Sequence, residues 1–372
     1  MESSLECQCQ VYDLSDINIR HCAEKIRNGE VVVFPTETVY GIGASSLNET
    51  AIQQIYQVKQ RPSNNPLIMH VLNWEDAKMY TDINGIEDSI VSELTDKFWP
   101  GPLTILVKKS VSVPDSVSAK TDWVSLRSPS NIIARKLLEY SMVPIVAPSA
   151  NISGKITSTY KEHILKYFKH SRINLLLDED PTSLGVESTI VKIENNTVTV
   201  VRPGIITTDD IRDTLTNSTN ESLSMCQVSQ CALEEQSDHP GSSISHYASD
   251  KKTLLFNFID AKLTEQTGID GKISSSVKES IDYYLSQCAC IDFNAKNFHC
   301  REKFGAYVDL SKDGNIYEGL FNLYNVLHQL DTAPIQNILI FDYWTDKEGL
   351  YNTMFDRVIR SCNGKRIMIP IS

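Results

Sequence analysis

The chain has 372 residues, which is longer than one typical domain, so two folding units are expected. With 41% hydrophobic and 22% charged residues it has a globular composition, and no apolar run approaches the roughly 18 to 20 residues of a membrane helix. A formal net charge of −12 argues against a broad surface that grips a phosphate backbone, so any contact with nucleic acid should be local.

The first ten residues carry polar and acidic groups without the apolar stretch of a signal peptide, which predicts a cytoplasmic protein. The nine cysteines are odd in number and scattered, as expected for reduced thiols. The pairs Cys7 with Cys9 and Cys288 with Cys290 do not have the usual spacing of zinc ligands. Neither pair is therefore predicted to bind a metal.

Between Val31 and about Gly204, short β-rich runs alternate with amphipathic helical patterns, which predicts a mixed α/β domain over residues 11–215. The predicted strands are Val31–Phe34, Leu67–Val71, Leu103–Val107, Trp123–Leu126, Val143–Ala147, Ser188–Ile193 and Thr197–Val201, the last two forming a hairpin. The predicted helices are Glu49–Lys59, capped by Asn48, and Asn131–Tyr140.

Residues 216–250 lose this periodicity and are rich in Ser, Asn, Gln and Glu, which predicts a long linker. Strands and helices alternate again over residues 251–372, which predicts a second, smaller domain with parallel βαβ units. Its predicted strands are Leu254–Phe258, Tyr307–Leu310, Ile338–Phe341 and Arg366–Ile369, and its predicted helices are Ser276–Gln287, Ile316–Leu330 and Leu350–Cys362. No glycine-rich dinucleotide fingerprint follows these strands.

Polar segments follow the apolar strands of the first domain, where α/β proteins place ligand-binding groups. They are PTETVYG (35–41), KQRPSNNPLIMH (59–70), PGPLT (100–104), PSANISG (148–154), GVESTIV (185–191) and VRPG (201–204). Hydroxyl groups, small residues and four cations, Lys59, Arg61, Arg127 and Arg202, indicate a pocket for a small anion. Each cation taken alone fits an exposed charge or an ordinary ion pair better than a ligand contact, because charged residues are usually exposed.

In this order, the segments resemble those of the YrdC-like domain of the threonylcarbamoyl-AMP synthase family. The resemblance extends through HPGSSISHYA, which is similar to the family's linker motif, to the C-terminal domain of the longer members. It implies an N-terminal YrdC-like α/β domain with a twisted mixed sheet, a long linker and a small C-terminal Rossmann-like α/β domain. It also implies synthesis of threonylcarbamoyl-AMP and pyrophosphate from L-threonine, bicarbonate and ATP with Mg²⁺, the product passing to the tRNA threonylcarbamoyl transferase machinery.

The resemblance further implies roles for individual residues. The residues implied to bind L-threonine are Thr38, His70, Arg127, Ser149 and Ser188. Those implied to bind ATP are Lys59, Arg61, Asn65, Asn151, Thr159, Arg202 and Tyr247, and the catalytic set is Lys59, Arg61, Ser149 and Asn151. The linker is expected to act as a lid, with His246 and Tyr247 closing over the pocket.

The chain departs from the family pattern at Trp123, four residues before Arg127, where a small hydroxyl residue is common. Thr121 is a candidate replacement for that hydroxyl. The segment KITST after PSANISG lacks the usual proline. His70 also fits a buried strand histidine without a ligand.

Two other functions stay open. One is an RNA-binding module without catalysis. The other is a related carbamoyl-transfer enzyme, although the second half has no Cys-x-x-Cys pairs typical of that class.

Overall fold

A computed structural model of the protein describes residues 9–231, 246–260, 275–342 and 348–371. These residues form two compact units, the first made of residues 9–153 and 157–231 and the second of residues 154–156 and 246–371. Among the described helices, none combines the length and the apolar character needed to cross a bilayer.

The first unit is built on one large mixed sheet. Its strands are β1 (Gln10–Tyr12), β2 (Val32–Phe34), β3 (Gly41–Ser45), β4 (Ile68–His70), β5 (Leu103–Lys108), β6 (Trp123–Arg127), β7 (Ile145–Val146), β8 (Asn174–Leu176), β9 (Thr189–Glu194), β10 (Thr197–Arg202) and β11 (Gln227–Gln230). They lie in the order β1-β8-β2-β3-β7-β4-β6-β5-β9-β10-β11. The helices are α1 (Asp16–Arg27), α2 (Glu49–Lys59), α3 (Trp74–Ala77), α4 (Ile86–Phe98), α5 (Asp115–Ser118), α6 (Ile132–Ser141), α7 (Lys161–Phe168) and α8 (Thr208–Thr216), with 3₁₀ turns at Lys78–Tyr80 and Glu221–Met225.

Apolar side chains leave the central strands on both faces of this sheet. On β2, Val33 belongs to the larger apolar cluster, which includes residues of α2, α4 and α8, whereas Val32 and Phe34 belong to a second cluster with residues of α1 and α6. Successive residues of a strand point to opposite faces, so a strand buried on both sides reads as a continuous apolar run. Helices on both faces therefore bury the middle of the sheet.

The second unit is a smaller, wholly parallel sheet with helices between its strands. Its elements are β12 (Lys252–Asp260), α9 (Ser275–Ser286), β13 (Cys288–Asp292), a 3₁₀ turn (Phe298–Lys303), β14 (Ala306–Asp309), α10 (Ile316–Thr332), β15 (Asn337–Phe341), α11 (Gly349–Ser361) and β16 (Arg366–Ile371). The strand order is β14-β13-β15-β12-β16. All of its pairs are parallel. The predicted fold class, two α/β regions with a mixed sheet and then a parallel one, is confirmed.

Two strands that periodicity did not predict contain small residues. A Cβ atom on Gly43 of β3 would lie 2.7 Å from side-chain atoms of both Ile145 and Phe34, so glycine is required for close packing although it weakens strand propensity.

On β13, Cys288 and Cys290 are fully buried core residues. Among the described residues, no group of three or more His, Cys, Asp or Glu side chains could hold a metal ion. Cys7 lies outside the described residues.

The first part of the predicted linker is ordered structure. Residues Gln227–Gln230 form β11, which pairs in parallel with β10, and a 3₁₀ turn precedes it. The sequence pattern did not indicate this strand, because it lies at the edge of the sheet and three of its four side chains are exposed. Residues 232–245, most of the remaining predicted linker, lie outside the described residues.

Helix α6 begins at a side-chain cap whose removal has a predictable cost. The side-chain oxygen of Asn131 accepts hydrogen bonds from the backbone N–H groups of Ile133 and Ala134, at 2.9 and 3.2 Å. We expect Asn131→Ala to lower the free energy of unfolding of the first unit by about 1 kcal/mol, since two backbone N–H groups at the start of the helix lose their acceptor. Asn131→Asp keeps an acceptor and serves as the control in urea denaturation. Equal midpoints for Asn131→Ala and the unmodified protein would contradict this role of the cap.

Candidate functional site

Polar side chains of the neighbouring strands β4 and β6 share one face of the large sheet. On β4, Met69 joins the larger apolar cluster, whereas His70 points the other way; on β6, Leu126 joins it and Arg127 does not. His70 and Arg127 are register partners in the parallel pair of β4 and β6, and both are buried. The two-residue period of a strand thus places apolar residues against the helices and polar residues on the opposite face.

Lys59 joins two of the predicted motifs. It is the last residue of α2 and is buried, and its Nζ donates to the carbonyl oxygens of Ser149 and Asn151, at 2.6 Å each. Ser149 in turn donates from its hydroxyl to the side-chain oxygen of Asn151, at 2.6 Å. Burial, and secondarily the charge of Arg61, lowers the pKa of Lys59 well below its ordinary value. The structure therefore brings Lys59, Ser149 and Asn151 into one hydrogen-bonded group.

Arg61 is held by the backbone of the segment that follows it. Its guanidinium donates to the carbonyl oxygen of Asn65 at 3.1 Å, to the side-chain oxygen of Asn65, and to the carbonyl oxygen of Pro66 at 2.7 Å. Burial lowers the pKa of Arg61 to about 10; nearby Tyr56 opposes this shift and the charge of Arg202 adds to it. Arg61 and Arg202 are thus close enough to repel each other.

Arg202, at the end of β10, contacts Ser188 just before β9. Its guanidinium donates to the carbonyl oxygen of Ser188 at 3.0 Å and to its hydroxyl at 2.9 Å, and this hydroxyl also lies 2.7 Å from that of Thr104 on β5. A Cβ atom on Gly204 would lie 2.4 Å from the backbone nitrogen of Thr189. The Arg-Pro-Gly segment therefore passes so close to the start of β9 that only glycine fits at this position. The predicted residues Ser188 and Arg202 are therefore in direct contact.

Arg127 forms a buried ion pair that the sequence did not predict. Its Nη2 lies 2.6 Å from Oε1 of Glu37, and the two side chains are 5% and 7% exposed. Its Nε donates to the carbonyl oxygen of Gly101 at 3.3 Å. Oε2 of Glu37 is buried and has no hydrogen-bond partner within the described parts of the chain. A carboxylate in a hydroxyl-rich loop directly after a buried strand was the available signal, but its partner lies 90 residues away.

Thr38 is fully buried in the same loop as Glu37. The hydroxyl of Thr36 lies 2.9 Å from that of Thr38 and donates to the carbonyl oxygen of Val39 at 2.6 Å, which closes a tight turn. This turn follows β2 and returns the chain into β3. The position of Thr38 between β2 and β3 therefore depends on a local hydroxyl turn.

The hydroxyl groups of Thr159 and Thr121 differ in their hydrogen bonding. Oγ1 of Thr159 is buried and has no partner in the ranges that the structure describes, while its backbone N–H donates to Nδ1 of His163 at 3.2 Å. Oγ1 of Thr121 instead donates to the carbonyl oxygen of Ser118 at 2.8 Å, which closes the turn before β6. The structure thus gives Thr121 a local structural contact, and its substitution for a nucleotide-binding hydroxyl stays a prediction.

Trp123 fills the position where a small hydroxyl was expected. It is buried at the start of β6, and the ammonium groups of Lys108 and Lys192 lie 4.2 and 4.0 Å from the centre of its indole ring. Such distances are typical of cation–π contacts. The residue therefore contributes an aromatic surface flanked by positive charge.

Tyr247 belongs to the second unit. Its ring is 1% exposed, lies 5.1 Å from the ring of Tyr324 between centroids, and has the guanidinium carbon of Arg357 at 5.4 Å. The backbone of Tyr247 has φ 64°, which is unusual for a residue with a side chain. Its predicted contact with a nucleotide stays a prediction.

Two family models match successive parts of the chain. Residues 24–204 match the model Sua5_yciO_yrdC, described as "Telomere recombination", and residues 206–362 match the model described as "Threonylcarbamoyl-AMP synthase, C-terminal domain". A threonylcarbamoyl-AMP synthase from Enterobacter sp. is 30% identical over 155 residues, which cover 41% of this chain and 79% of that protein. The chain belongs to the threonylcarbamoyl-AMP synthase family.

Longer relatives show how far the similarity extends. The synthase of Pyrococcus abyssi is 39% identical over 198 residues, and this match spans 57% of that protein and 53% of this chain. The synthase of Schizosaccharomyces pombe is 28% identical over 363 residues, covering 89% of this chain and 85% of that protein. The crystal structure of P. abyssi Sua5 complexed with L-threonine is similar over 97% of this chain and 98% of that chain, with a TM-score of 0.77 and 27% identity.

The buried imidazole of His70 should make the stability of the protein depend on pH. Burial, with the charge of Arg127 as the second cause, lowers the pKa of His70 from 6.5 to about 3. The unfolded chain therefore binds more protons than the folded chain between these two values, and stability is lost as the pH falls below 6.5. We expect His70 to remove about 2 kcal/mol of stability between pH 7 and pH 5.

Urea denaturation of His70→Asn at both pH values tests this expectation. The variant should lose correspondingly less stability over this interval than the unmodified protein, while His170→Asn, at an exposed position, should behave like the unmodified protein. An unchanged pH dependence in His70→Asn would show that His70 is not the titrating group.

Proposed function

We propose that this protein is a nucleotidyltransferase that forms threonylcarbamoyl-AMP and pyrophosphate from L-threonine, bicarbonate and ATP. One observation carries the proposal. Lys59 and Arg61 make their hydrogen bonds to neutral oxygens and, among the described residues, neither lies in an ion pair, although Arg61 is also near Arg202. Neutral oxygens satisfy the N–H groups but leave the positive charges uncancelled, so an anion such as the polyphosphate of ATP is favoured.

The chemistry proposed for this site depends on position and charge. N-carboxythreonine, formed from L-threonine and bicarbonate, would attack the α-phosphate of ATP through its new carboxylate and displace pyrophosphate. Lys59, Arg61 and Arg202 would neutralise the charge that develops on the phosphate oxygens, and aligning the two reactants would supply much of the acceleration. Asn65, Asn151, Thr159 and Tyr247 complete the proposed ATP contacts. Lys59, Arg61, Ser149 and Asn151 form the proposed catalytic set.

L-Threonine is proposed to lie at the Arg127 side of the site. The guanidinium of Arg127 suits a carboxylate, and the uncharged imidazole of His70 next to it can hydrogen-bond a hydroxyl. The hydroxyls of Thr38, Ser149 and Ser188 are proposed as further contacts. The crystal structure of P. abyssi Sua5 contains L-threonine, which supports the choice of amino acid.

Magnesium is proposed to bind as a complex with the nucleotide. The side chains brought together at Lys59, Arg61 and Arg202 offer N–H donors, which suit phosphate oxygens, and their composition does not fit a protein-only cage for a hard cation. Mg²⁺ bound to the polyphosphate would offset part of its negative charge. The product is proposed to supply the tRNA threonylcarbamoyl transferase machinery, with any direct contact to tRNA confined to a local surface.

Product formation tests the proposed function directly. We expect pyrophosphate and a bicarbonate-labelled adenylate when the protein is incubated with MgATP, labelled bicarbonate and L-threonine. Serine lacks one methyl group and should be used less efficiently, by about 1 to 3 kcal/mol in kcat/KM. Incubations without bicarbonate are the control. Equal use of serine would overturn the choice of threonine, and no adenylate with any amino acid would overturn the proposal.

Charge removal tests the location of the nucleotide site. Arg61→Ala and Arg202→Ala should each weaken ATP binding by about 1.5 to 3 kcal/mol, because each removes charge-assisted hydrogen bonds to phosphate. Arg212→Ala, on the exposed side of α8, is the matched control and should bind ATP normally. Calorimetric titration gives the affinities. If both site variants bind ATP as tightly as the control, the nucleotide lies elsewhere.

A further inference from the structure

The ion pair between Glu37 and Arg127 uses only one oxygen of the carboxylate. Oε1 of Glu37 accepts from Arg127, whereas Oε2 is buried without a hydrogen-bond partner among the residues that the structure describes. Leaving a buried polar atom unsatisfied costs about 1 to 3 kcal/mol, and more when the group is charged. An ion pair that served only to hold Arg127 in place would gain by satisfying both oxygens. The free oxygen therefore indicates a donor that arrives with a ligand.

Arg127 has further N–H groups that no described residue accepts from. A guanidinium carries five N–H groups. One, on Nε, donates to the carbonyl oxygen of Gly101, and another, on Nη2, donates to Glu37. The pair thus offers additional N–H donors from a cation and a free acceptor from an anion. An α-amino acid has the complementary arrangement, with a carboxylate and an ammonium group on the same carbon atom.

We propose that Glu37 is a substrate-binding residue whose free Oε2 accepts a hydrogen bond from the α-ammonium group of the amino acid, while Arg127 binds its carboxylate. This inference rests on the proposed function and adds a residue to its threonine site. The substrate keeps the charge of the ion pair balanced, because it brings one positive and one negative group to a buried cation and anion.

Glu37 also separates the two kinds of anion that the site must hold. A polyphosphate at Arg127 would meet the negative charge of Glu37 at short range, and this repulsion is strong in a buried site. Among the described residues, Lys59 and Arg61 have no such carboxylate. The nucleotide phosphates are therefore directed to Lys59 and Arg61, and the amino acid to Arg127.

Three ligands distinguish ammonium binding from mere support of Arg127. L-Threonine has both charged groups, L-threoninol lacks the carboxylate, and (3R)-3-hydroxybutanoate lacks the ammonium group. Affinities are measured by calorimetric competition with the full-length protein and with Glu37→Gln, which keeps the shape of the side chain and an oxygen that can accept from Arg127. We expect Glu37→Gln to weaken threonine and threoninol by about ten- to a hundredfold and to leave 3-hydroxybutanoate within about twofold.

A purely supporting role gives the opposite pattern. If Glu37 only oriented Arg127, the substitution would weaken threonine and 3-hydroxybutanoate, whose carboxylates need Arg127, and would spare threoninol. That result, or unchanged threonine affinity, overturns the inference. Glu37→Asp, which keeps the charge but withdraws it by one methylene, should show the first pattern more weakly and replaces Glu37→Gln if thermal melting shows that the latter does not fold.

The same measurements distinguish an error in the role of Glu37 from an error in the proposed function. If the unmodified protein binds threonine and makes the adenylate while Glu37→Gln binds all three ligands normally, only the role of Glu37 is wrong. If the unmodified protein binds no threonine, the proposed function is wrong and the inference falls with it.

Discussion

Buried positive charge is the constraint on which the first unit depends. Lys59 at the end of α2 is only 1% exposed, and its ammonium group is stabilised by two carbonyl oxygens of the segment at Ser149 and Asn151. These hydrogen bonds join parts of the chain about 90 residues apart and fix the position of that segment beside the helix end. Hydrogen bonds to carbonyl oxygens satisfy the donors without cancelling the charge, which an anionic ligand can then offset.

The sheet allows polar groups to be buried without disrupting the apolar core. Alternate residues of β4, β5 and β6 bury apolar side chains against the larger cluster, which includes residues of helices on that face. The intervening residues, among them His70 and Arg127, can then be polar without interrupting that core. Because parallel pairing aligns the ends of β4 and β6, side chains from distant positions in the chain meet at one edge of the polar face.

Sequence patterns predicted those features of the fold that depend on local periodicity and capping. Helix α2 has the predicted bounds, Glu49–Lys59, and its predicted cap at Asn48, whose side chain accepts from the backbone of Ala51. The hairpin of β9 and β10 is also present. Strand β3 was missed because its glycines reflect contacts with distant side chains. Strand β11 was missed because three of its four side chains are exposed, so no alternation of apolar and polar residues marks it.

The candidate site shows the same division between local and distant information. The motifs indicated that cations and hydroxyls follow the strands, but not that Lys59 would bond to Ser149 and Asn151, since that contact depends on tertiary structure. Glu37 was overlooked because a carboxylate between two threonines resembles an ordinary turn. Its significance comes from the burial of both partners of the ion pair.

The distribution of carboxylates gives the two ends of the site different chemistry. Near Lys59 and Arg61 the hydrogen-bond acceptors are neutral, so the local charge is positive and selects an anion of high charge. At Arg127 the carboxylate of Glu37 lies 2.6 Å from the guanidinium, so the local charge is close to zero and a zwitterion is accommodated without a net change. Under the proposed function, one additional carboxylate would thus be sufficient for a single polar face to bind a nucleotide at one end and an amino acid at the other.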